Sequence, residues 1–303
     1  MKPRIAVTMG DAEGIGPEII FKSLERYKPV HPVVVIGDSA VYADRNVRII
    51  HNPNEISGEG VYFYHMDGEQ IGGDASYEYV KTAVDWALQK KIQAVVTAPI
   101  SKEKWLKAGI PYKGHTELLA RTAGVKKHSM FFWSEDLKTA LFTIHIPLKD
   151  VFEHIRTDKI IAFIRFVAAE LSRLFSRDFT YLVSGLNPHA GENGYLGKEE
   201  MEEIIPALEV LASEMDIQGP IPPDVVFLKA KDITDAVVIS WYHDQGLIPF
   251  KLLNIQRGVN MTLGLPYVRT SPDHGTAYDI AGKGIADPSS MMEALKLAET
   301  LIK

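Results

Sequence analysis

Short runs rich in Val, Ile, Tyr and Phe alternate along the chain with segments whose apolar positions recur every three or four residues. The first kind predicts strands at RIAVTM, PVVVIGD, GVYFYH, QAVVTAPI, TALFTIHI, TYLVSGL, DVVFLK, AVVISWY and NMTLGLPYV. The second predicts helices at GPEIIFKSLERY, ASYEYVKTAVDWALQKK, KIIAFIRFVAAELSRLF, KEEMEEIIPALEVLASEM and SSMMEALKLAETLIK. Strand and helix patterns in alternation predict an α/β protein with a largely parallel sheet. No repeat, low-complexity tract or flexible linker interrupts the pattern, so no lobe boundary shows as a shift in composition.

Three of the strand patterns end in the same way. AVVISWY runs into His243, followed by Asp244-Gln245-Gly246; TALFTI runs into His145, followed by Ile146-Pro147; TYLVSGLNP runs into His189, followed by Ala190-Gly191. In open α/β sheets ligands gather outside the carboxyl ends of the strands. Three imidazoles delivered there suit one divalent cation with positions left for substrate and water. They are too far apart in sequence to form a local metal motif. Hydrogen-bonded loop histidines are the other reading of the same residues.

Two further segments carry candidate chemistry. Gly10, Gly14 and Gly16 in VTMGDAEGIGPEII lie between the first strand and a helix opened by Pro17. The spacing matches neither a Walker loop nor Gly-x-Gly-x-x-Gly, which leaves a tight turn or a ligand-lining loop. In YKGHTELLARTAG, His115 and Thr116 start an amphipathic helix; Thr116 is placed to cap it, and a helix start favours an anion. Lys251 and Arg269 stand inside apolar stretches, where a cation needs a partner, and Asn260 lies between them.

Composition narrows the class. The 303 residues carry a formal charge of −6 and no cysteine. The charge argues against nucleic acid as a partner, and the missing thiols leave only His, Asp and Glu to hold a metal. MKPRIAVTMGD holds too short an apolar run for a signal peptide, and no segment approaches a membrane span, so a soluble cytoplasmic protein is expected.

GDAEGIGPEI, GHTELLA, GLNPHAGENG, YHDQG, RGVNMTLGLPYVRTS and DHGTAYDIAG occur in that order. Together they resemble the 4-hydroxythreonine-4-phosphate dehydrogenase family of vitamin B6 biosynthesis. The resemblance implies an isocitrate/isopropylmalate dehydrogenase-like α/β fold, with two lobes around a central cleft and a largely parallel sheet. It implies a cofactor-binding lobe of residues 1–120 plus 252–303, and a metal and dimerisation lobe of residues 121–251. It also implies a homodimer whose active site is shared between subunits. His145, His189 and His243 would hold zinc, magnesium, cobalt or manganese, with Asp224 and Asp244 near the cation. His115, Thr116, Lys251, Asn260 and Arg269 match the positions that contact a small phosphorylated substrate. Asp244, Lys102 and a bound water are the candidates for proton transfer.

HGTAYDIAGKGIADP is similar to the adenosine-binding loop of the wider decarboxylating dehydrogenases. It implies NAD bound through His274, Gly275 and Asp279, with the Asp279 carboxylate favouring NAD over NADP. The implied reaction oxidises 4-phosphohydroxy-L-threonine to a β-keto acid, which loses CO₂ to give 3-amino-2-oxopropyl phosphate. Ala12-Glu13 stand where the family commonly has Pro-Ala, and the chain is somewhat short for the family. Relatives acting on 4-phosphothreonate or 4-phosphoerythronate therefore remain alternatives. A metal hydrolase would use the same histidines but leaves the loop around Asp279 without a purpose, and a silent phosphate-binding protein is the third reading.

Overall fold

Twelve strands follow one another in the computed structural model, which describes residues 4–42, 47–66 and 75–302. They are β1 (Ile5–Thr8), β2 (Val33–Gly37), β3 (Arg48–Ile50), β4 (Val61–His65), β5 (Ala94–Thr97) and β6 (Ser129–Trp133). β7 (Lys138–Leu141), β8 (Thr180–Ser184), β9 (Ile217–Ile221), β10 (Ala236–Ser240), β11 (Val259–Leu263) and β12 (Val268–Pro272) complete the set. The chain divides into two units, one of Met1–His128 with Val259–Lys303, the other of Ser129–Gly258.

In the first unit the strand order is β3-β4-β2-β1-β5-β12-β11. All neighbours run parallel except β12 and β11, which form an antiparallel pair. β1, β2 and β5 are buried along their whole length, as expected of parallel strands covered on both faces. Helix Gly16–Arg26, with Pro17 in its first turn, buries Ile19, Ile20 and Ser23. Helix Ala75–Leu88 buries Tyr79, Val80, Ala83, Val84 and Ala87, the three-and-four spacing of an amphipathic face.

The second unit has the order β6-β7-β10-β8-β9, antiparallel at β6-β7 and parallel elsewhere. Its core gathers Phe132, Leu141, Leu182, Val226, Val238, Leu247 and Phe250. Helix Thr157–Phe175 presents Ile160, Ile164, Val167, Leu171 and Leu174 as one buried stripe.

The expected elements need three corrections. DVVFLK is helical, within Pro223–Lys231, not a strand. Its buried residues Val226, Phe227 and Ala230 sit at helical spacing, Pro223 opens it, Asp224 lies in its first turn and Lys229 and Lys231 in its last. NMTLGLPYV is two strands, β11 and β12, folded back on each other through Gly264, whose φ of 92° suits only glycine well. The strand in TALFTIHI stops at Leu141, although Phe142 and Thr143 still donate their N–H groups to Ser240 and Trp241 beside it. β3, β6 and β9 have no counterpart in the sequence reading. Lys303, the last residue of the expected C-terminal helix, lies outside the described residues.

Candidate active site

The second unit sets its three candidate histidines at the carboxyl ends of three adjacent parallel strands, β7, β10 and β8. After β10 the chain turns at Trp241-Tyr242 into helix His243–Asn254, so His243 and Asp244 occupy the helix's first turn. Gln245 fastens this turn. Its Oε1 accepts the Trp241 N–H at 2.7 Å, and its Nε2 donates to the Gly185 carbonyl beyond β8 at 2.8 Å. Trp241 Nε1 adds a bond to the Ser184 carbonyl at 2.6 Å. Gly246 lets the helix press on β7, because a Cβ there would come within 2.5 Å of Leu141 Cδ2. The YHDQG sequence is thus a local device for delivering His243 between its neighbours.

The His145 and His243 rings lie 5.5 Å apart, centre to centre. His243 Nδ1 is 2.6 Å from Asp244 Oδ1, so an ionised Asp244 holds the proton on Nδ1 and leaves Nε2 as an electron-pair donor. Two close imidazoles, one with its tautomer fixed by a carboxylate, are a donor set that suits a divalent cation. His189 is exposed at the neighbouring strand end. Among the described residues, no three His, Asp or Glu side chains of one chain gather to hold an ion.

The segment that carries His189 has an uncommon backbone. His189, Ala190, Gly191, Glu192, Asn193 and Gly194 all have positive φ, from 44° to 88°. Such a run costs roughly 1–2 kcal/mol for each residue that is not glycine. It is anchored by Glu200, which is 1% exposed and accepts bonds from the Leu186 and Asn187 N–H groups and from Asn187 Nδ2, all at 2.7–2.8 Å. Glu200 opens a π-helical turn, Glu200–Ile204, a feature frequent at functional sites.

The first unit buries a cation. Arg269 on β12 is 3% exposed; its guanidinium donates to Thr97 Oγ1 at 2.7 Å and Thr262 Oγ1 at 3.2 Å, while Nε has no partner. Burial pulls its pKa down to about 10, which leaves it charged at neutral pH. Among the described residues no carboxylate pairs with it. A buried cation surrounded by hydroxyls is incomplete without an anion.

His115 Nε2, Asn260 Oδ1 and Tyr267 Oη are among the other buried polar atoms of this unit that lack hydrogen-bond partners. The β11-β12 register puts Asn260 and Thr262 on the face that Arg269 and Ser271 share. His115 is driven well below its ordinary pKa, first by burial and then by the positive charges of Arg269 and Lys102. It is therefore a neutral imidazole at pH 7.

Thr116 does not cap its helix. Gly114 takes that position, with φ 148°, and no side chain bonds the helix start. The reason is local: the helix begins at His115, one residue too early for Thr116 to serve. Lys102 opens helix Lys102–Lys107 and is exposed, whereas Lys251 is half-buried on helix His243–Asn254.

His274, Gly275 and Asp279 belong to the first unit, in the segment between β12 and helix Ser289–Leu301. His274 Nδ1 lies 3.1 Å from the Gly275 carbonyl, no atom crowds Gly275, and Asp279 is exposed. Sequence reasoning passed over Thr97, Thr262, Tyr267 and Glu200. The two threonines had a signal: Thr97 is the polar end of an apolar run, and Thr262 alternates with Asn260 on a period of two.

Largely parallel strands, the central ones buried on both faces, define an isocitrate/isopropylmalate dehydrogenase-like α/β protein. An isocitrate dehydrogenase from Methylococcus capsulatus shares this fold at TM-score 0.52 and 15% identity, over 98% of this chain and 84% of that one. The description "Pyridoxal phosphate biosynthetic protein PdxA" belongs to the family model that matches residues 30–298, and the chain is a member of that family. A 4-hydroxythreonine-4-phosphate dehydrogenase from Aquifex aeolicus is 41% identical over all of this chain and 99% of its own length. A protein from Oceanobacillus iheyensis, provisionally named a D-threonate 4-phosphate dehydrogenase, is 40% identical over 98% and 97%. The crystal structure of the 4-hydroxythreonine-4-phosphate dehydrogenase from Klebsiella pneumoniae matches at TM-score 0.87 and 37% identity, over 99% and 98%. The chain is an oxidoreductase. Among the described residues no helix is long and apolar enough to cross a membrane.

Proposed function

We propose that the chain catalyses the NAD- and divalent-metal-dependent oxidation of 4-phosphohydroxy-L-threonine to a β-keto acid that decarboxylates to 3-amino-2-oxopropyl phosphate, in cytoplasmic vitamin B6 synthesis. The observation that carries this reading is Arg269, a buried guanidinium with hydroxyl partners and an unpartnered Nε. It calls for an oxyanion ligand, and a planar fork suits phosphate or carboxylate. Thr116, Asn260 and Lys251 are assigned to the same substrate, and neutral His115 donates or accepts one hydrogen bond to it without adding charge.

His145, His189 and His243 are assigned as metal ligands. A bound divalent cation would supply stabilisation of negative charge on substrate oxygen, in alcohol oxidation and in loss of CO₂ alike. Asp244 serves by holding the His243 tautomer. That leaves Lys102, close enough to His115 to depress its pKa, as the side chain proposed to move the alcohol proton. Asp279 and its neighbours His274 and Gly275 are assigned to the adenosine end of NAD.

A second copy of the chain is part of the proposal. The second unit displays a groove of about 520 Å³, lined by Pro223, Phe227, Leu228, Ile248, Leu252 and Leu253 and also touching Asp224 and Asp244. Leu252 is 82% exposed and Leu228 65%. An apolar face of this kind, continuous with a candidate ligand-bearing turn, supports a homodimer with a shared active site.

The near-equal identity to relatives of two different names favours one rival, the same chemistry on D-threonate 4-phosphate or a related phosphorylated hydroxy acid. NADH formation, measured with each acid after chelation and metal add-back, separates the readings. We expect fastest turnover with 4-phosphohydroxy-L-threonine. Turnover that survives chelation removes the metal from the proposal, and no NADH with any of the acids removes the dehydrogenase reading itself.

A further inference from the structure

Between β12 and helix Ser289–Leu301 the chain forms neither helix nor strand, yet it is tied down at both ends to the start of the first unit. Ile15 donates its N–H to the Thr276 carbonyl at 2.9 Å, and Gly14 lies so close that a Cβ there would come within 3.1 Å of Thr276 Cβ. At the far end, Ala286 donates its N–H to Glu18 at 2.8 Å, and Lys22 Nζ donates to the Gly284 and Ala286 carbonyls, each at 2.9 Å. Asp279 stands exposed between these two anchors.

The tie nearest Asp279 is an ionic clasp built on a buried carboxylate. Asp11, three residues beyond the end of β1, is 5% exposed. Its Oδ1 accepts the Lys104 ammonium at 2.9 Å and the Glu13 N–H at 3.0 Å, and its Oδ2 accepts the Tyr278 hydroxyl at 2.5 Å. Lys104 also lies 5.4 Å from the centre of the Tyr278 ring. Burial works against the Lys104 ammonium, but its bonds to Glu13 and Asp11 outweigh that and hold its pKa above the ordinary lysine range. Lys104 is therefore charged throughout the physiological range. Tyr278 adjoins Asp279 in sequence, so what fixes the tyrosine fixes the backbone of the carboxylate.

We propose that Asp11, Lys104 and Tyr278 are positioning residues that set Asp279 and thereby the affinity for the adenosine half of the dinucleotide cofactor. This rests on the assignment of Asp279 to NAD. Ordering a loop before the ligand arrives spares the binding step that cost. Without the clasp, the entropy of fixing residues 277–280 is charged to binding.

The test is calorimetric titration of the full chain with NAD and with AMP, which carries only the adenosine end, beside steady-state kinetics. Tyr278→Phe removes one hydroxyl from a partly exposed ring and leaves packing intact; Lys104→Met removes the cation. In each, the dissociation constants for NAD and AMP should rise together by about threefold to tenfold, the range of one lost hydrogen bond. KM for NAD should rise likewise, with kcat at saturating NAD and KM for the phosphorylated acid unmoved. A variant that loses affinity for NAD but not AMP, or that lowers kcat instead, overturns the positioning role. Equal binding by variants and the unaltered chain also overturns it, while failure of the unaltered chain to bind NAD strikes the cofactor assignment alone. Should Lys104→Met fail to fold, Tyr278→Phe decides the matter.

Discussion

His115 is forbidden a charge that the unfolded chain accepts readily. Below its ordinary value of 6.5 the unfolded imidazole binds a proton, and the folded one, with its pKa lowered by burial and by Arg269 and Lys102, does not. Proton uptake then favours unfolding, so this residue's contribution to stability falls as pH drops below 6.5, by at most about 1.4 kcal/mol per pH unit. Unfolding midpoints between neutral and mildly acidic pH should decline more steeply in the natural chain than in His115→Gln. Inorganic phosphate should offset the decline if the pocket takes an oxyanion; indifference to phosphate counts against the pocket. Glu13, at the departure from the family's usual Pro-Ala, bonds Lys104 at 2.7 Å but is 78% exposed, so by itself it adds little to stability.

At the scale of elements, the candidate metal ligands lie just beyond strand ends, in the turns that follow them. Position was legible in the sequence wherever a polar group broke an apolar run: His145, His189 and His243 stood out for that reason. The turn chemistry was less so. The helix starting at His243 was hidden because its apolar residues look like a continuation of β10, and Pro249 within it argues against a helix. DVVFLK misled for the opposite reason, since Val and Phe favour strands in isolation while tertiary packing decided for the helix. The partners of Arg269 needed the β11-β12 fold-back and the neighbouring β5, pairings that no local pattern encodes. If the strand-end histidines ligate the cation, His243→Ala should weaken cobalt binding by more than about a hundredfold, beyond what loss of an outer partner gives. Circular dichroism should show the fold retained. Near-normal cobalt affinity in that variant would refute the ligand assignment.

For the molecule as a whole, the alternation of strands and helices specified the fold class, and that fold is common to proteins of different activity. The exposed apolar face of the second unit then becomes the feature to challenge. Leu252→Asp places a carboxylate in the middle of the groove and should raise the dimer dissociation constant by about a hundredfold or more. Sedimentation velocity over a concentration series reads this directly. A natural chain that stays monomeric at high concentration removes the shared-site proposal.

The left-handed turn from His189 to Gly194 implies a molecule less sturdy than its own sequence neighbourhood would allow. Glu192 is exposed and holds φ at 44°, where a side chain is a burden and glycine is not. Glu192→Gly should therefore lift the melting temperature by about 1–2 °C, and a drop would show that the side chain was helping after all. The glutamate kept at that place brings Oε2 to 3.8 Å from His189 Nδ1, so strain in the turn and the setting of the imidazole are tied together.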